Sequence, residues 1–344
     1  MKAIVYRRYG PPDVLEYKEI KNPTPEDDQV LLRVRAASVN PLDGLMRGKP
    51  HLVRLATGLR RPRDPRLGRD VAGQVESVGR NVTQFKPGDE VFGVCRGAFA
   101  EYTCVAESRM VIKPQNVTFE QAASVPIAAL TALQGLRDKG HIQPGQKVLV
   151  NGAAGGVGTF AVQIAKSFGA DVTGVCSTRN VDMVRSIGAD RIIDYTRQDF
   201  TKSGERYDLI FDLVANHSLL TCRSILNRRG THVTAGAIGV RSKVWTFLVR
   251  AITAPVLSRF VSQTFVVFVA KITTEDLSVM CELMKAGKVR PVIDRRYSLT
   301  EVPEAVRYVE QGHARGKIVI TVEDNRAAGS PARMAAARSA LHKG

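Results

Sequence analysis

The sequence contains few cysteines, and those it has are widely scattered. Five cysteines occur in 344 residues, and no two of them form a Cys-x-x-Cys pair. An odd number at such spacing excludes a disulfide framework and the common zinc-finger patterns. The positions are Cys95, Cys104, Cys176, Cys222 and Cys281. We therefore expect a protein of a reducing compartment.

Long apolar runs are missing as well. The most apolar stretch, Val244 to Ala270, is interrupted by Arg250, Pro255 and Arg259. It falls short of the roughly 20 uninterrupted apolar residues that a membrane-spanning helix requires. The first residues lack the apolar core of a signal peptide, because two arginines follow directly after Tyr6. We expect a cytoplasmic protein that does not cross a membrane.

Acidic residues are scarce relative to basic ones. The chain has 50 lysines and arginines against 33 aspartates and glutamates, which gives a formal net charge of +17. Such an excess biases the surface toward anionic cofactors or substrates, acidic lipid or nucleic acid. Six arginines lie close together in one segment, at Arg54, Arg60, Arg61, Arg63, Arg66 and Arg69. The commonest outcome for such a segment is a solvated basic loop, and a ligand-attracting loop is the alternative.

Aromatic residues are absent from the neighbourhood of this basic segment. None occurs between Tyr17 and Phe85, so the stacking platform typical of single-strand binding is missing from this stretch. Nucleic acid is therefore not the partner we expect, and an RNA-binding protein remains an alternative from outside enzymology.

The chain is long enough for two domains. Its sequence pattern changes from β-rich to alternating strands and helices, and then back to β-rich. Up to about Ala122, short alternating apolar segments separated by Gly and Pro are typical of an antiparallel β domain. After Pro126, apolar strands alternate with helical stretches, which indicates βαβ units and a parallel sheet. Past Gly287 the β pattern returns.

These changes predict an α/β protein with a doubly wound parallel sheet. We place a Rossmann domain at 123–287 and a β-rich domain at 1–122 and 288–322. The segment 323–344 is rich in Ala, Arg, Ser and Gly and has little to bury, so we predict a mobile basic tail.

A glycine-rich turn joins the first strand of the predicted parallel sheet to an amphipathic helix. The strand Lys147-Val-Leu-Val150 runs into Asn151-Gly-Ala-Ala-Gly-Gly-Val-Gly158. Glycines let the backbone approach a pyrophosphate, whose charge is met by free N–H groups at the helix start. The setting predicts a dinucleotide site at Ala154, Gly155, Gly156, Val157 and Gly158.

The end of the second strand of this sheet indicates which dinucleotide binds. An NAD enzyme places a carboxylate there for the ribose hydroxyls, whereas this chain has Ser177-Thr-Arg179. A guanidinium and hydroxyls supply donors and positive charge for a 2′-phosphate. NADPH is therefore the predicted cofactor; the alternative is that Ser177 caps the next helix and Arg179 is solvated.

Several motifs appear together in the order of a known family. They are Gly68-Arg-Asp-Val-Ala-Gly73, Gly79-Arg-Asn-Val82, Phe85-Lys-Pro-Gly-Asp-Glu-Val-Phe-Gly93, Gly97-Ala-Phe-Ala-Glu-Tyr102 and Ala129-Leu-Thr-Ala132. With the glycine turn, they resemble the medium-chain dehydrogenase/reductase superfamily. The closest resemblance is to its zinc-free quinone oxidoreductase branch, which includes the reticulon-4-interacting-protein-like reductases. The resemblance implies a GroES-like β-barrel catalytic domain, built from both ends of the chain, with the active site in the cleft beside the Rossmann domain.

The residues at the zinc positions of that superfamily differ here. Asn40 stands where zinc members have cysteine, and Arg69-Asp70 stands where they have histidine and glutamate. Neither asparagine nor arginine replaces a thiolate or imidazole as a zinc ligand, so we predict no metal. Without a Lewis acid, a substrate already activated toward hydride, a quinone or an enone, suits the site better than an alcohol.

The resemblance places Asn40-Pro-Leu-Asp43 near the nicotinamide. Asn40 is a candidate donor to a substrate carbonyl, with Asp43 beside it as a second catalytic candidate. The alternative is structural, with Asn40 in a turn and Asp43 capping a helix from Gly44. Leu45 and Met46 stand where family members often have a proton-donating tyrosine, which favours quinone reduction over the alternative, enoyl thioester reduction.

The resemblance implies further cofactor contacts. Tyr195 corresponds to a phenol that reaches the 2′-phosphate, and Thr131 to a helix that faces the nicotinamide. The remaining contacts that it implies are Leu213, Val214, Gly236, Ala237 and Lys317.

The apolar stretch from Val244 admits two interpretations. An amphipathic helix over 244–260, with Arg250 and Arg259 on its rim, suits a peripheral membrane contact near lipid quinone. The preferred interpretation is a helix over the substrate cleft, followed by an edge strand at Thr264 to Val269 that pairs across a dimer axis. We therefore expect a homodimer.

Overall fold

A computed structural model describes residues 1–47, 54, 58–235 and 244–322. The strands are β1 Lys2–Val5, β2 Glu16–Glu19, β3 Gln29–Val39, β4 Asp70–Val78, β5 Glu90–Val94, β6 Tyr102–Ala106, β7 Met110–Ile112, β8 Lys147–Asn151, β9 Asp171–Cys176, β10 Arg191–Asp194, β11 Tyr207–Asp212, β12 Leu226–Thr234, β13 Thr264–Val267, β14 Ile293–Ser298 and β15 Lys317–Thr321.

The α-helices lie between these strands. They are α1 Pro41–Met46, α2 Phe119–Ala123, α3 Pro126–Gln134, α4 Gly156–Ser167, α5 Val181–Ser186, α6 Leu219–Ser224, α7 Val244–Phe260, α8 Thr274–Lys285 and α9 Val302–Glu310. A π-helical turn, Gly135–Lys139, extends α3.

Six strands form the predicted parallel sheet. Their order is β10-β9-β8-β11-β12-β13, and every neighbouring pair is parallel. Helices connect most successive strands, as parallel pairing requires. The order reverses between β8 and β11, so the sheet is doubly wound and a ligand crevice is expected at the carboxyl ends of these two strands.

The second large sheet contains both ends of the described chain. Its order is β14-β15-β3-β4-β5-β7, with β6 also paired to β3. Antiparallel pairing of β15 with β3 sets Ile318 opposite Val39, so the end of the chain lies beside the strand that leads into α1. One pair departs from the predicted antiparallel pattern, because β14 and β15 are parallel and are connected through α9.

The two sheets share a packed junction. One buried cluster contains Phe160 and Phe211 of the parallel sheet layer together with Ala36 and Phe92 of the other sheet. A second cluster fills the remaining space of the β-rich part. The predicted domain limits at 122/123 and 287/288 stay a prediction, and the predicted tail 323–344 lies outside the described residues.

The predicted edge strand is confirmed as the last strand of the parallel sheet. β13 pairs with β12 alone among the described strands and follows directly after α7. Within the described part of the chain, no helix has the length and apolarity needed to span a bilayer.

Candidate active site

A cleft of about 490 Å³ is lined by segments of both sheets. Its wall includes the glycine turn after β8, the end of β9, the loop after β11, the start of α1 and the start of β15. It therefore lies at the carboxyl edge of the parallel sheet, where the strand order predicts a ligand crevice.

The glycine turn brings the N-terminus of α4 to this cleft. Gly155 is the residue before the helix, and no side chain caps the helix start. A Cβ at Gly158 would lie 2.0 Å from the Gly152 carbonyl oxygen, so the turn closes only with glycine at that position. Free N–H groups at a helix start bind phosphate oxygens. The uncapped helix and the elongated cleft fit a dinucleotide.

The residue before β15, the last described strand of the β-rich sheet, contacts the same glycine turn. Gly155 and Gly316 form an isolated parallel bridge, and Lys317 follows immediately. This pairing brings the last strand of one sheet to the phosphate turn of the other.

The residues predicted to contact a 2′-phosphate lie together at one end of the cleft. Ser177, Arg179 and Tyr195 all line it, and Tyr195 is 59% exposed. The Arg179 guanidinium donates to the His313 carbonyl oxygen at 3.0 Å. One carboxylate that the sequence pattern did not reveal lies nearby: Asp194, at the end of β10, accepts a hydrogen bond from Thr178.

Asn40, Asp70 and Lys317 form a buried hydrogen-bonded network at the other end of the cleft. Lys317 Nζ donates to Asn40 Oδ1 at 2.7 Å and lies 3.3 Å from Asp70 Oδ2. Asn40 Nδ2 donates to Asp70 Oδ2 at 2.9 Å, and Ser38 Oγ donates to the same oxygen at 2.9 Å. Asn40 and Lys317 are only 4% and 3% exposed, and both line the cleft.

The geometry of the Asn40–Asp43 segment shows the structural role that the sequence left open as the alternative. The Asn40 amide group donates to Asp70 Oδ2 at 2.9 Å and to the Ser38 carbonyl oxygen at 3.4 Å, so donation to a substrate carbonyl stays a prediction. Asp43 Oδ2 accepts the Asn40 backbone N–H at 2.8 Å, which closes a capping box at the start of α1. That helix begins at Pro41, not at Gly44 as the capping alternative had it. Burial raises the pKa of Asp43 to about 7, and its Oδ1 has no hydrogen-bond partner.

The base of the cleft contains a second buried network that the sequence did not reveal. Asn151 Nδ2 donates to Asp212 Oδ1 at 2.8 Å, and Arg250 donates to Asp212 Oδ2 at 2.8 Å. Burial alone would raise the pKa of Asp212, yet the neighbouring His232 and Arg250 hold it well below its usual range. The carboxylate also accepts the Val214 and Ala215 N–H groups, which shapes the cleft-lining loop at Leu213 and Val214.

The position of Arg250 corrects one prediction. Arg250 is buried and ion-paired with Asp212, so it does not lie on the rim of an amphipathic helix. A buried carboxylate requires a partner, and this requirement draws the guanidinium inward. In the sequence, the burial of Arg250 is indicated only by its position inside an apolar run.

Three predicted cofactor contacts, by Thr131, Gly236 and Ala237, stay predictions. The Thr131 hydroxyl donates to the Ile127 carbonyl oxygen of its own helix, and the residue of α3 that lines the cleft is Ala128. Gly236 and Ala237 lie outside the described residues.

One group of metal-ligand residue types occurs among the described residues, away from the predicted zinc positions. This group consists of Asp212, Cys222 and His232, all buried. The positions where zinc-binding members of the superfamily hold the metal are Asn40, Arg69 and Asp70 in this chain. The Arg250 guanidinium already contacts the Asp212 carboxylate, and its positive charge opposes a metal ion there.

Two family models match separate parts of the chain. The alcohol dehydrogenase GroES-like domain matches residues 26–115, and the zinc-binding dehydrogenase model matches residues 187–320. The mouse mitochondrial NAD(P)H oxidoreductase RTN4IP1 is 35% identical, over 94% of this chain and 89% of the relative. A chloroplast envelope quinone oxidoreductase homolog of Arabidopsis thaliana is 33% identical, over 93% of this chain and 98% of the relative.

A solved structure shares the complete fold. The quinone oxidoreductase from Coxiella burnetii superposes with a TM-score of 0.82 at 31% identity, over 94% of this chain and 99% of that chain. The predicted combination of a GroES-like domain and a Rossmann-like parallel sheet is thereby confirmed. The chain is an oxidoreductase of the medium-chain dehydrogenase/reductase superfamily, with quinone oxidoreductases and RTN4IP1-type NAD(P)H oxidoreductases as its relatives.

Proposed function

We propose that this protein is a zinc-independent, NADPH-dependent reductase that transfers hydride to a quinone or to the activated double bond of an enone. The relatives are named as NAD(P)H oxidoreductases, quinone oxidoreductases and an alkenal/one oxidoreductase. These names support a nicotinamide cofactor and a small-molecule acceptor for this chain. The single observation that carries the finer proposal is the buried ammonium of Lys317, held beside Asn40 at the cleft.

Two groups of cleft residues support the proposed position of the cofactor. Arg179, Ser177 and Tyr195 would hold the 2′-phosphate, and the start of α4 would hold the pyrophosphate. Lys317 and the loop at Leu213 and Val214 would border the nicotinamide. Bound there, NADPH supplies the hydride.

Lys317 stabilises the acceptor as it becomes negatively charged. Hydride addition places negative charge on the carbonyl oxygen of a quinone or enone, and preorganised donors stabilise such an oxyanion. An ammonium has three protons, of which the network uses those that face Asn40 and Asp70. The remaining proton is available to the acceptor, so Lys317 is the stronger donor and Asn40 orients it.

The same network supports zinc independence. Lys317 brings its own positive charge to Asp70 and Asn40, where zinc members of the superfamily bind the metal. The Lys317 ammonium already neutralises the Asp70 carboxylate, and its positive charge would repel a zinc ion at the same place.

The experiment that tests the proposal is NADPH oxidation against a panel of quinones, enones and enoyl thioesters. Turnover of quinones or enones supports it. Preference for enoyl thioesters identifies the alternative, an enoyl thioester reductase. Failure of every acceptor in the panel would contradict the proposal and favour a binding protein with vestigial activity, for which RNA filter binding over a salt series tests phosphate contacts.

We further propose a homodimer formed through β13, whose outer edge has no partner among the described strands. A monomer in light scattering at micromolar concentration would contradict it. The predicted cytoplasmic location stays a prediction, since the names of the relatives place them in mitochondria or chloroplasts.

A peripheral membrane contact through 244–260 is proposed on two observations. Ile252 and Phe260 are 72% and 82% exposed on α7, on a stripe that also includes Val249 and Val256. No aspartate or glutamate occurs from Leu213 to Thr274. An apolar stripe within a sequence segment that has basic but no acidic residues matches an anionic lipid surface.

A further inference from the structure

A second, smaller pocket lies on the other side of α1 from the cofactor cleft. It encloses about 260 Å³. Asn40 and Pro41 line the cofactor cleft, whereas Asp43 and Met46 of the same helix line this pocket. The remaining lining residues are Tyr6, Arg63, Asp64, Arg66, Leu67, Gly68, Arg69 and Arg96.

The lining of this pocket has an excess of positive charge. Its acidic residues are Asp64, which forms a bidentate pair with Arg66 at 3.0 Å, and Asp43. In the described part of the chain, the guanidinium groups of Arg63, Arg69 and Arg96 form no ion pair with a carboxylate. The Arg69 guanidinium contacts the Met46 sulfur at 4.0 Å.

The sequence around the pocket supplies no further acid to neutralise these arginines. Between Gly44 and Arg69 the only acidic residue is Asp64, and this includes all residues of that interval outside the described ranges. Three guanidinium groups in a concave site with no paired carboxylate therefore form a site for anionic oxygen atoms.

The lining of the pocket is adjacent in sequence to the network that holds the proposed oxyanion donor. Arg69 lines it, and the next residue, Asp70, binds Asn40 and Lys317 in the cofactor cleft. Side chains of adjacent residues in an extended segment point to opposite sides, so Arg69 faces this pocket while Asp70 faces the Asn40 and Lys317 network. The buried Asp43 Oδ1, which has no partner, lies in the wall between them.

We propose that this pocket is a substrate subsite for an anionic group, and that the protein prefers quinones or enones carrying a carboxylate, sulfonate or phosphate. This inference rests on the proposed reductase function and adds the substrate class. A bound anion favours the protonated form of Asp43, which then donates from the oxygen that otherwise lacks a partner; the raised pKa of Asp43 is consistent with this role.

A matched pair of acceptors tests the subsite. 1,4-Naphthoquinone and its 2-sulfonate differ by one anionic group, and their ratio of kcat/KM is compared between variants, so that intrinsic reactivity cancels. Arg69→Gln is expected to lower the sulfonate-to-neutral ratio about tenfold or more, the scale of one lost charge-assisted hydrogen bond. Arg185→Gln on the exposed face of α5 removes the same charge and is the control, with an unchanged ratio expected.

Direct binding separates this inference from the reductase proposal. Naphthalene-2-sulfonate, which accepts no hydride, is titrated calorimetrically into the wild type and the variants. Binding that weakens in Arg69→Gln and in Arg96→Gln, but not in Arg185→Gln, supports the subsite even if no quinone is reduced. An unchanged acceptor ratio in a folded Arg69→Gln protein, or sulfonate binding equal in all variants, would overturn it.

Discussion

At the residue scale, the buried ammonium of Lys317 is neutralised by Asp70 and oriented by Asn40. Removing one member of a buried charged network leaves the others without partners, which is costly. The same contacts that stabilise the network also hold a donor at the cleft. We therefore expect stability and the proposed catalysis to depend on the same few atoms.

Replacing Asn40 tests the proposed oxyanion site. Asn40→Ala removes the acceptor that orients Lys317, so kcat is expected to fall about tenfold to a few hundredfold. The dissociation constant for NADPH is expected to change little, because the phosphate contacts lie at the other end of the cleft. Asn116→Ala, which alters an exposed amide, is the control. Full kcat in Asn40→Ala would remove the residue from the mechanism.

The buried Asp43 predicts a pH dependence of stability. Its pKa is about 7 in the folded protein, above the ordinary value of an unfolded aspartate. Between about pH 4 and pH 7 the unfolded chain releases a proton that the folded protein keeps. Stability from this group is present at low pH and is lost as pH rises through 7, with a slope approaching 1.4 kcal/mol per pH unit.

Asp43→Asn checks this sign, because an amide oxygen still accepts the Asn40 N–H and does not titrate. Urea unfolding at pH 5 and pH 8 is expected to show the variant gaining stability relative to the wild type at the higher pH. The same difference between the two proteins at both pH values would show that Asp43 titrates normally.

At the scale of elements, the proposed preference for NADPH rests on residues at the ends of β9 and β10. Arg179 and Tyr195 come from neighbouring loops and line one end of the cleft. The Asp194 carboxylate on β10 is bound to Thr178 and does not line the cleft. The arrangement favours a phosphate over a free ribose hydroxyl.

Arg179→Ala tests the preference for NADPH. Loss of one charged hydrogen bond is expected to weaken NADPH by about 1 to 3 kcal/mol and NADH only slightly. Because Arg179 also holds the His313 carbonyl, the decisive quantity is the ratio of the two dissociation constants, with Arg185→Ala as the control. Equal losses for both cofactors would refute the assignment.

The exposed stripe of α7 predicts binding to anionic vesicles. We expect co-sedimentation with vesicles containing phosphatidylserine, and a severalfold loss in Phe260→Ser/Ile252→Ser because two exposed apolar side chains are removed. Leu220→Ser, an exposed apolar position on α6, is the control. Equal sedimentation of all three proteins, or a stripe that instead controls the oligomeric state, would contradict the membrane contact.

At the scale of the whole molecule, the cleft depends on the return of the last described strand, β15, to the β-rich sheet. Pairing of β15 with β3 brings Lys317 beside the strand that leads to Asn40, and the bridge from Gly316 to Gly155 joins both to the cofactor turn. The three parts of the site are far apart in the chain and close in space.

Zinc content is a property of this assembled site. We expect purified protein to contain far less than one zinc per chain, because Asn40 and Arg69 occupy ligand positions and Lys317 supplies the positive charge there. Elemental analysis after purification without chelators is the measurement. One zinc per chain, together with loss of activity to a chelator, would overturn the proposed chemistry.

The sequence by itself determined the parts of the protein that depend on local pattern. The strand, glycine turn and helix at Lys147–Ser167 were readable because periodicity and glycine requirements are local properties. The order of motifs sufficed to place the chain in its superfamily. The hydroxyl of Ser177 and the positive charge of Arg179 by themselves predict a 2′-phosphate as their partner.

Only the tertiary structure decided which side chains meet. The contacts of Lys317 with Asn40 and Asp70 follow from sheet pairing between segments more than two hundred residues apart, and no local pattern encodes that pairing. The burial of Arg250 likewise depends on Asp212, because a buried carboxylate selects its partner by distance in space. Local chemistry supplied the candidates, and long-range packing determined their electrostatic partners.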